Sequence, residues 1–489
     1  MTDHTKISDR QLEVLYEPIN FEESRKTCDT KKRRDTGFLY FTLLSANLAM
    51  FSNGSYLVWT SPVIPQLKSN DSDINPLGEA ITTGQISMLV GLPFFSGMLA
   101  PLLLGKLPDI IGRKNTLLCI SAGALIAHIA VAFGRHIYVY YVGKAIIGLT
   151  FGLLFVVQPM YTNEICEKHN RAKHGCLTMF FVPLGSVYSF LLGPLTSVRS
   201  FTLLCALPLV IHLILVYSLV PESPYYTASR NRREATIQIL EKLRSDKSPA
   251  EIEKDYTEIE ATLGTRRTRK VLSGELFSSP LLRKGFIVGL GTCTSTYVTG
   301  VQVLMAFMAP LFNDANTNLS GNTIALLVGI TKLSFYLIAA FIVGKLGRRP
   351  LLLFSSFGTG ICLAIIALYF YLKQINPSLV ESFRWLPILS IVFYISCYSL
   401  GVGPLPISIL SELFPSDLRS TATSLASTIL SIFLFIIVTL YPILSESLGV
   451  HCCLGIFSVG CFLSFTFMFL LLPETKGKSF SEIQEILSR

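Results

Sequence analysis

The sequence predicts an all-α membrane protein with twelve membrane-spanning helices in two pseudo-symmetric six-helix bundles. Three observations predict it. The chain of 489 residues is 51% hydrophobic and 15% charged, with a mean hydropathy of +0.53, whereas a soluble domain carries about 25% charged residues. Its apolar residues fall into runs of roughly 20 with almost no charge, the length a helix needs to cross the hydrocarbon core. The two halves also repeat the same short motifs in the same order.

The first six spans are expected near 38–60, 80–104, 115–134, 137–160, 175–195 and 198–220. The second six fall near 285–312, 321–344, 350–372, 385–411, 420–444 and 450–472. The chain then divides into an N-tail (1–37), a first bundle (38–220), a polar linker (221–284), a second bundle (285–472) and a C-tail (473–489). In the linker, RNRREATIQILEKL from Arg230 places Ile237, Leu240 and Leu243 at helical spacing among charges, and Asp255 to Leu263 is also amphipathic, which predicts short surface helices.

Charge sets the orientation. The two tails, the linker and the loops after spans 2, 4, 8 and 10 hold 34 of the 41 Lys and Arg. Cytoplasmic loops retain such residues, so both termini are expected in the cytosol. The net charge of +9 is then a topology signal and predicts no nucleic-acid partner. The sequons at Asn70 and Asn318 fall on the side this assigns as external, and predict glycosylation there. The polar, charged first 37 residues predict no cleavable signal peptide. The eleven cysteines are scattered without metal or disulfide spacing and read as small apolar residues.

The repeat is read motif by motif. GKLPDIIGRK after span 2, with Asp109, Arg113 and Lys114, is matched after span 8 by VGKLGRRP, with Arg348 and Arg349. Glu164 precedes Arg171 by seven residues after span 4, and Glu412 precedes Arg419 by seven after span 10. Pro221-Glu222-Ser223 follows span 6; Pro473-Glu474-Thr475 follows span 12. Parallel six-helix repeats are a known transporter plan. The glycines let helix ends approach closely. The nine charged residues from Asp109 to Arg419 are expected to form a cytosolic gate of partly buried acid–base pairs, broken when that side opens.

These residues carry a family resemblance. GKLPDIIGRK resembles the loop signature of the major facilitator superfamily. PMYTNEICEKHNR (159–171), PESPYY (221–226), GVGPLPISILSELFP (401–415) and PETKGKSF (473–480) resemble sugar-porter motifs, and VWTSPVIPQL (58–67) is similar to insect trehalose and hexose carriers in particular. The resemblance covers residues 38–482. It implies a major facilitator fold, linker helices bridging the two halves, and alternating-access transport of a sugar.

The scaffold motifs are kept while the expected sugar contacts are not. The resemblance implies a central cavity lined by Met179, Thr296, Tyr297, Gly300, Gln302, Lys332, Ile407 and Leu430. Thr296 and Tyr297 stand where sugar porters carry a glutamine pair, Gln302 replaces an Asn, Met179 a Gln, Ile407 a Trp, and Leu430 an Asn. Lys332 takes the place of a span 8 amide. A lysine near mid-membrane is costly and faces a water-filled cavity or a partner. Lys144, four residues before Gly148, stands where the family has Arg and is read as part of a structural motif. His128 and His212 are read as helix-packing residues. Gly344 replaces the acid expected ahead of Gly347.

A facilitative carrier for a hexose, a trehalose-like disaccharide or a related polyol follows, in the plasma membrane, with no cofactor, metal or obligate protein partner. Span 1 holds no Asp or Glu, which favours uniport over proton symport. The same fold carrying an organic anion, and a non-transporting sensor, are the alternatives. No nucleotide loop, metal cluster or catalytic triad spacing is found, so no enzyme is expected.

Overall fold

The computed structural model describes residues 35–167, 169–268, 279–315, 317–414 and 416–476, together with 478, 482, 485 and 486. The N-tail up to residue 34, linker residues 269–278, Pro415 and much of the C-tail lie outside them. Among the described residues the regular elements are all helical.

Among the described residues, ten helices are long and apolar enough to cross a membrane by themselves. These are span 2 (Thr83–Leu104), span 3 (Arg113–Phe133), span 4 (Ile137–Ile165), span 5 (Lys173–Leu195), span 6 (Val198–Ser218), span 7 (Pro280–Ala306), span 8 (Gly321–Ala339), span 9 (Arg348–Ile375), span 11 (Thr421–Ser447) and span 12 (Val450–Leu471). Spans 1 and 10 complete the twelve; span 1 is more polar than the others, and the span 10 helix is short. Span 1 (Gly37–Leu57) buries Thr42, Ser45, Asn47, Ser52, Asn53 and Ser55. It bends at Val58–Trp59 and continues as Thr60–Leu67. Span 10 is split into Leu386–Leu400 and Pro406–Glu412, because Gly403-Pro404-Leu405-Pro406 cannot continue a helix.

Span 7 breaks as well. Pro280–Val298 ends at Gly300, whose φ of +71° is left-handed, and Val301–Ala306 and Met308–Asp314 follow. A Cβ on Gly300 would stand 2.4 Å from the Phe457 ring of span 12, so glycine is needed both for the turn and for the contact. Irregular backbone at membrane depth must be satisfied by protein groups. Here the Val402 carbonyl accepts from Thr296 Oγ1 at 2.8 Å, and its N–H donates to Ser355 Oγ at 3.0 Å. The Thr299 carbonyl accepts from Tyr394 Oη at 2.9 Å.

The linker forms Pro224–Ser229, Arg233–Leu243 and Pro249–Thr268, as its periodicity predicts. Ala228, Leu240, Ile252, Tyr256 and Ile259 make a small core of their own. This module is fastened to the first half. Thr36 Oγ1 donates to the Leu243 carbonyl at 2.8 Å, Lys247 lies 3.0 Å from Glu167, and Arg230 donates to the Ile110 carbonyl at 2.8 Å.

The two halves meet on the side away from the termini. Thr60 Oγ1 donates to the Ala306 carbonyl at 3.1 Å, and the Ala309 N–H donates to Ser61 Oγ at 3.0 Å. Phe190 of span 5 packs against Gly329 of span 8. Nearer the middle, Phe95 of span 2 meets Phe435 of span 11, with ring centroids 5.3 Å apart. On the termini side, by contrast, the ion pairs among the described residues join elements of one half to each other.

Candidate functional site

Two constellations carry the candidate function: a bracket of charges at the termini side of each half, and a polar lining between the halves.

The brackets are built alike. Gly112 and Gly347 have φ of +98° and +91°, turning the chain sharply into spans 3 and 9. Each helix start leaves N–H groups without intrahelical partners, and a glutamate from the far end of the same half accepts them. Glu222 takes the Arg113 and Lys114 N–H groups at 2.9 and 3.0 Å. Glu474 takes those of Arg348 and Arg349 at 3.1 and 3.0 Å. The next residues also correspond: Lys114 Nζ donates to the Tyr217 carbonyl at 3.0 Å, and Arg349 Nη2 to the Phe469 carbonyl at 2.7 Å. A negative group at a helix N-terminus is favoured by the exposed amides and the dipole.

The guanidinium groups then reach span 4 or span 10. Arg113 lies 2.9 Å from Glu164 and 3.0 Å from Asp109, and Glu164 also accepts from Ser223 Oγ. Arg348 lies 2.8 Å from Glu412. Arg113 and Glu164 are each 7% exposed, while the Arg348 and Glu412 side chains are 27% and 28% exposed. The first bracket is the drier one. Burial pushes the Glu222 carboxyl up against the pull of its three backbone hydrogen bonds. At Glu474 burial also pushes upward, but the N–H groups of Lys476, Arg348 and Arg349 outweigh it and hold the carboxyl below its ordinary value. Arg171 is half-buried and Arg419 exposed; neither forms an ion pair among the described residues, so the arginine seven residues after each glutamate is not its partner.

A further cluster was not foreseen. Asp35, just before span 1, accepts from Asn170 at 2.7 Å, Lys173 at 2.8 Å and Tyr40 at 2.9 Å. Burial pushes the Asp35 carboxyl up, but these donors prevail and set it well below the usual range. Glu167 carries the network onward to Lys247, and Lys247 and Arg244 to Asp255. Its members come from four separate segments, and only the isolated acid before span 1 marks it in the sequence.

Between the halves, span 8 presents two faces. Leu327, Ile330, Ser334, Leu337 and Phe341 are exposed at three- and four-residue steps and form its lipid face. Ala325, Val328, Lys332, Tyr336 and Ala339 recur on the opposite face, which turns toward spans 5 and 10. Lys332 is half-buried there, whereas Val328 and Ala339 on either side of it are buried. Among the described residues it makes no hydrogen bond or ion pair. Tyr336, one turn on, reaches the span 10 break: a Cβ on Gly403 would stand 2.9 Å from its hydroxyl and 2.9 Å from the Tyr398 ring. Tyr297 and Gln302 are half-buried on span 7, and Thr296 is the residue that ties span 7 to the span 10 break. Met179 and Ile407 are exposed, at 41% and 59%, whereas Leu430 is 3% exposed and packed in the core.

The first half contributes buried polar groups of which the sequence reading had named only Lys144. Gln158 Nε2 donates to Asn47 Oδ1 at 2.8 Å, both residues fully buried, and Asn53 is buried with neither side-chain atom bonded among the described residues. Lys144, 1% exposed, places Nζ 3.9 Å from the ring centroids of both Tyr56 and Trp59. The signal available was their spacing: Asn47, Asn53, Tyr56 and Trp59 recur along span 1 at three- and six-residue steps.

The chain matches the family model described as "Sugar (and other) transporter" over residues 26–487. It is 26% identical over 445 residues to the facilitated trehalose transporter Tret1 of Culex quinquefasciatus, spanning 90% of this chain and 84% of that protein. Tret1 of Aedes aegypti is also 26% identical, over 446 residues, but the chain spans 54% of that longer relative. Among solved structures, the inward-open xylose transporter XylE from E. coli superposes with a TM-score of 0.75 at 19% identity, over 92% of this chain and 99% of that chain. The repeated brackets, the twelve-span major facilitator fold and a family match across nearly the whole length agree: this chain belongs to the sugar transporter family.

Proposed function

We propose that the protein carries a sugar or sugar-like solute across the plasma membrane by facilitated diffusion, alternating between states open to either side. The observation that carries this reading is the one-sided seam. The halves bond through Thr60–Ala306 and Ser61–Ala309 on the side away from the termini, while the charged brackets on the other side each stay within one half. This is the arrangement of a carrier open toward the side of its termini, which the excess of Lys and Arg marks as cytosolic. The pairs are formed here, within each half, so they do not break when this side opens, contrary to the expectation from the sequence; the brackets instead serve as rigid corners that keep each half intact as it rocks and that meet when the cytosolic side closes. Asn70 and Asn318, both exposed, are the glycan acceptors on the outer side.

Uniport is supported by the absence of any acid in Gly37–Leu57. The trehalose carriers among the relatives make trehalose and glucose the first solutes to try. The test is uptake by proteoliposomes holding the purified full-length chain. Saturable sugar entry that stops at equilibrium and ignores an imposed pH gradient is expected. Concentrative entry under that gradient would overturn the uniport reading, and the absence of flux for every solute tried would leave a scaffold that does not transport.

A further inference from the structure

Resting on that transport reading, we propose that the preferred solute is an acidic sugar, a hexuronate or aldonate carried as a monoanion, whose carboxylate pairs with Lys332. Gly321 begins span 8 on the outer side, and Lys332 lies eleven residues along it, about 16 Å down the helix and so near the bilayer centre. Its side chain leaves the face opposite the lipid, half-buried on the side that packs against spans 5 and 10. An unpaired ammonium at that depth is unfavourable and draws a counter-charge. Among the described residues no acid lies in the middle of a span: every Asp and Glu in the spanning helices lies within two residues of a helix end. The other lysine more than five residues from the ends of its span, Lys144, is sealed between aromatic rings, so the mid-span charges are positive.

The counter-charge must therefore arrive with the solute. A monoanion neutralises Lys332, a dianion leaves one charge in excess, and a neutral sugar leaves the ammonium unpaired. The surrounding side chains suit the remainder of such a molecule. Tyr336 stands four residues from Lys332, about 6 Å along the helix, beside the span 10 break, where a Cβ on Gly403 would lie 2.9 Å from its hydroxyl. Half-buried, it offers a ring face to a pyranose and a hydroxyl to its oxygens. The Thr296 hydroxyl is already given to the span 10 break, and Lys332 is the charged group on this face of span 8.

The experiment uses the full chain in proteoliposomes, with radiolabelled glucuronate, gluconate, glucose and trehalose, and potassium diffusion potentials set with valinomycin. Saturable glucuronate uptake is expected, inhibited by gluconate. Because each turnover moves one negative charge, the equilibrium accumulation ratio should change tenfold for about 59 mV, rising as the interior is made positive. Lys332→Gln should raise the glucuronate KM at least tenfold and increase glucose entry, while Lys332→Arg keeps glucuronate entry. Wild-type flux of glucose or trehalose without glucuronate would overturn the acidic-sugar proposal and leave facilitated sugar transport standing. Equal loss of all four solutes in Lys332→Gln, with the variant correctly folded by gel filtration and melting, would overturn the pairing. No wild-type flux of any solute would sink the transport reading itself, and the proposal with it.

Discussion

A Cβ on Gly112 would stand 2.2 Å from Oε2 of Glu222. The carboxylate that caps span 3 thus occupies the volume of a missing side chain, at a residue whose φ of +98° already disfavours any other amino acid. Gly112→Ala should cost about 1–2 kcal/mol for the backbone alone and more through displacement of Glu222. Gly347→Ala, where the same distance to Glu474 is 2.8 Å, should cost less. Melting temperatures of the two variants in detergent test the order, and a larger loss at Gly347 would contradict it.

The same two glutamates should respond oppositely to acid. Glu222 has a raised folded-state pKa, so its stabilisation is complete below the ordinary 4.5 and is lost as pH rises through the raised value. Glu474 has a lowered one, so its contribution is present above 4.5 and lost as pH falls through the lowered value. Glu474→Gln should therefore be the more damaging variant at pH 7. On moving from pH 7 to pH 4, its deficit relative to wild type should narrow, while that of Glu222→Gln should widen. Parallel pH dependence of the two deficits would refute the assignment.

The two arginine–glutamate pairs differ in burial and should differ in strength. Arg113→Ala strands the buried Glu164 and should cost about 3–5 kcal/mol. Arg348→Ala, at a pair more than a quarter exposed, should cost about 1 kcal/mol. Double-mutant cycles with Glu164→Gln and Glu412→Gln measure both couplings. Both variants should insert and both should slow transport; wild-type rates in either would remove that bracket from the transport cycle.

Lys144 offers a test inside the membrane. Its ammonium touches two aromatic faces, an attraction worth about 2 kcal/mol when desolvated. Trp59→Leu should thus cost about 2 kcal/mol more in the wild-type background than in Lys144→Met. The Trp59 Nε1 bond to Thr202, 3.0 Å long, is lost in both backgrounds and cancels in the cycle. A coupling near zero would show that the cage contributes only shape.

The outer seam can be locked. Cysteines at Ser61 and Ala309, where an N–H to hydroxyl bond of 3.0 Å already joins the halves, should form a disulfide under oxidation that arrests transport. Reductant should restore it. Unimpaired transport in the quantitatively oxidised variant would mean that this seam does not open during the cycle.

Most of the scaffold was legible because the membrane leaves few choices. Long apolar runs, matched glycines and matched charges mark spans, turns and brackets without reference to tertiary contacts. The breaks were less so. Span 7 reads as continuous from 285 to 312, yet Gly300 divides it, because the Phe457 ring that demands a glycine comes from span 12. Pairing was the least legible. Glu164 and Glu412 are followed by Arg171 and Arg419 at equal spacing, but the guanidinium groups that reach them come from Arg113 and Arg348, on elements brought near only by folding. The inward direction of Lys332 is in the sequence, in the apolar stripe from Leu327 to Phe341 on the other side of the helix. What its face meets, spans 5 and 10, depends on how those spans cross.

The fastening of the linker helices to the first half, through Thr36, Glu167 and the Ile110 carbonyl, has a mechanical consequence. The helices between Pro224 and Thr268 ride as ballast on one rocking body rather than standing as a pillar between two. With the halves rocking as rigid bodies, their distance to the Arg113 corner should stay constant while their distance to the Arg348 corner changes. Anything in the cytosol that grips these helices holds the first bundle still, and from its frame of reference all of the motion belongs to the second.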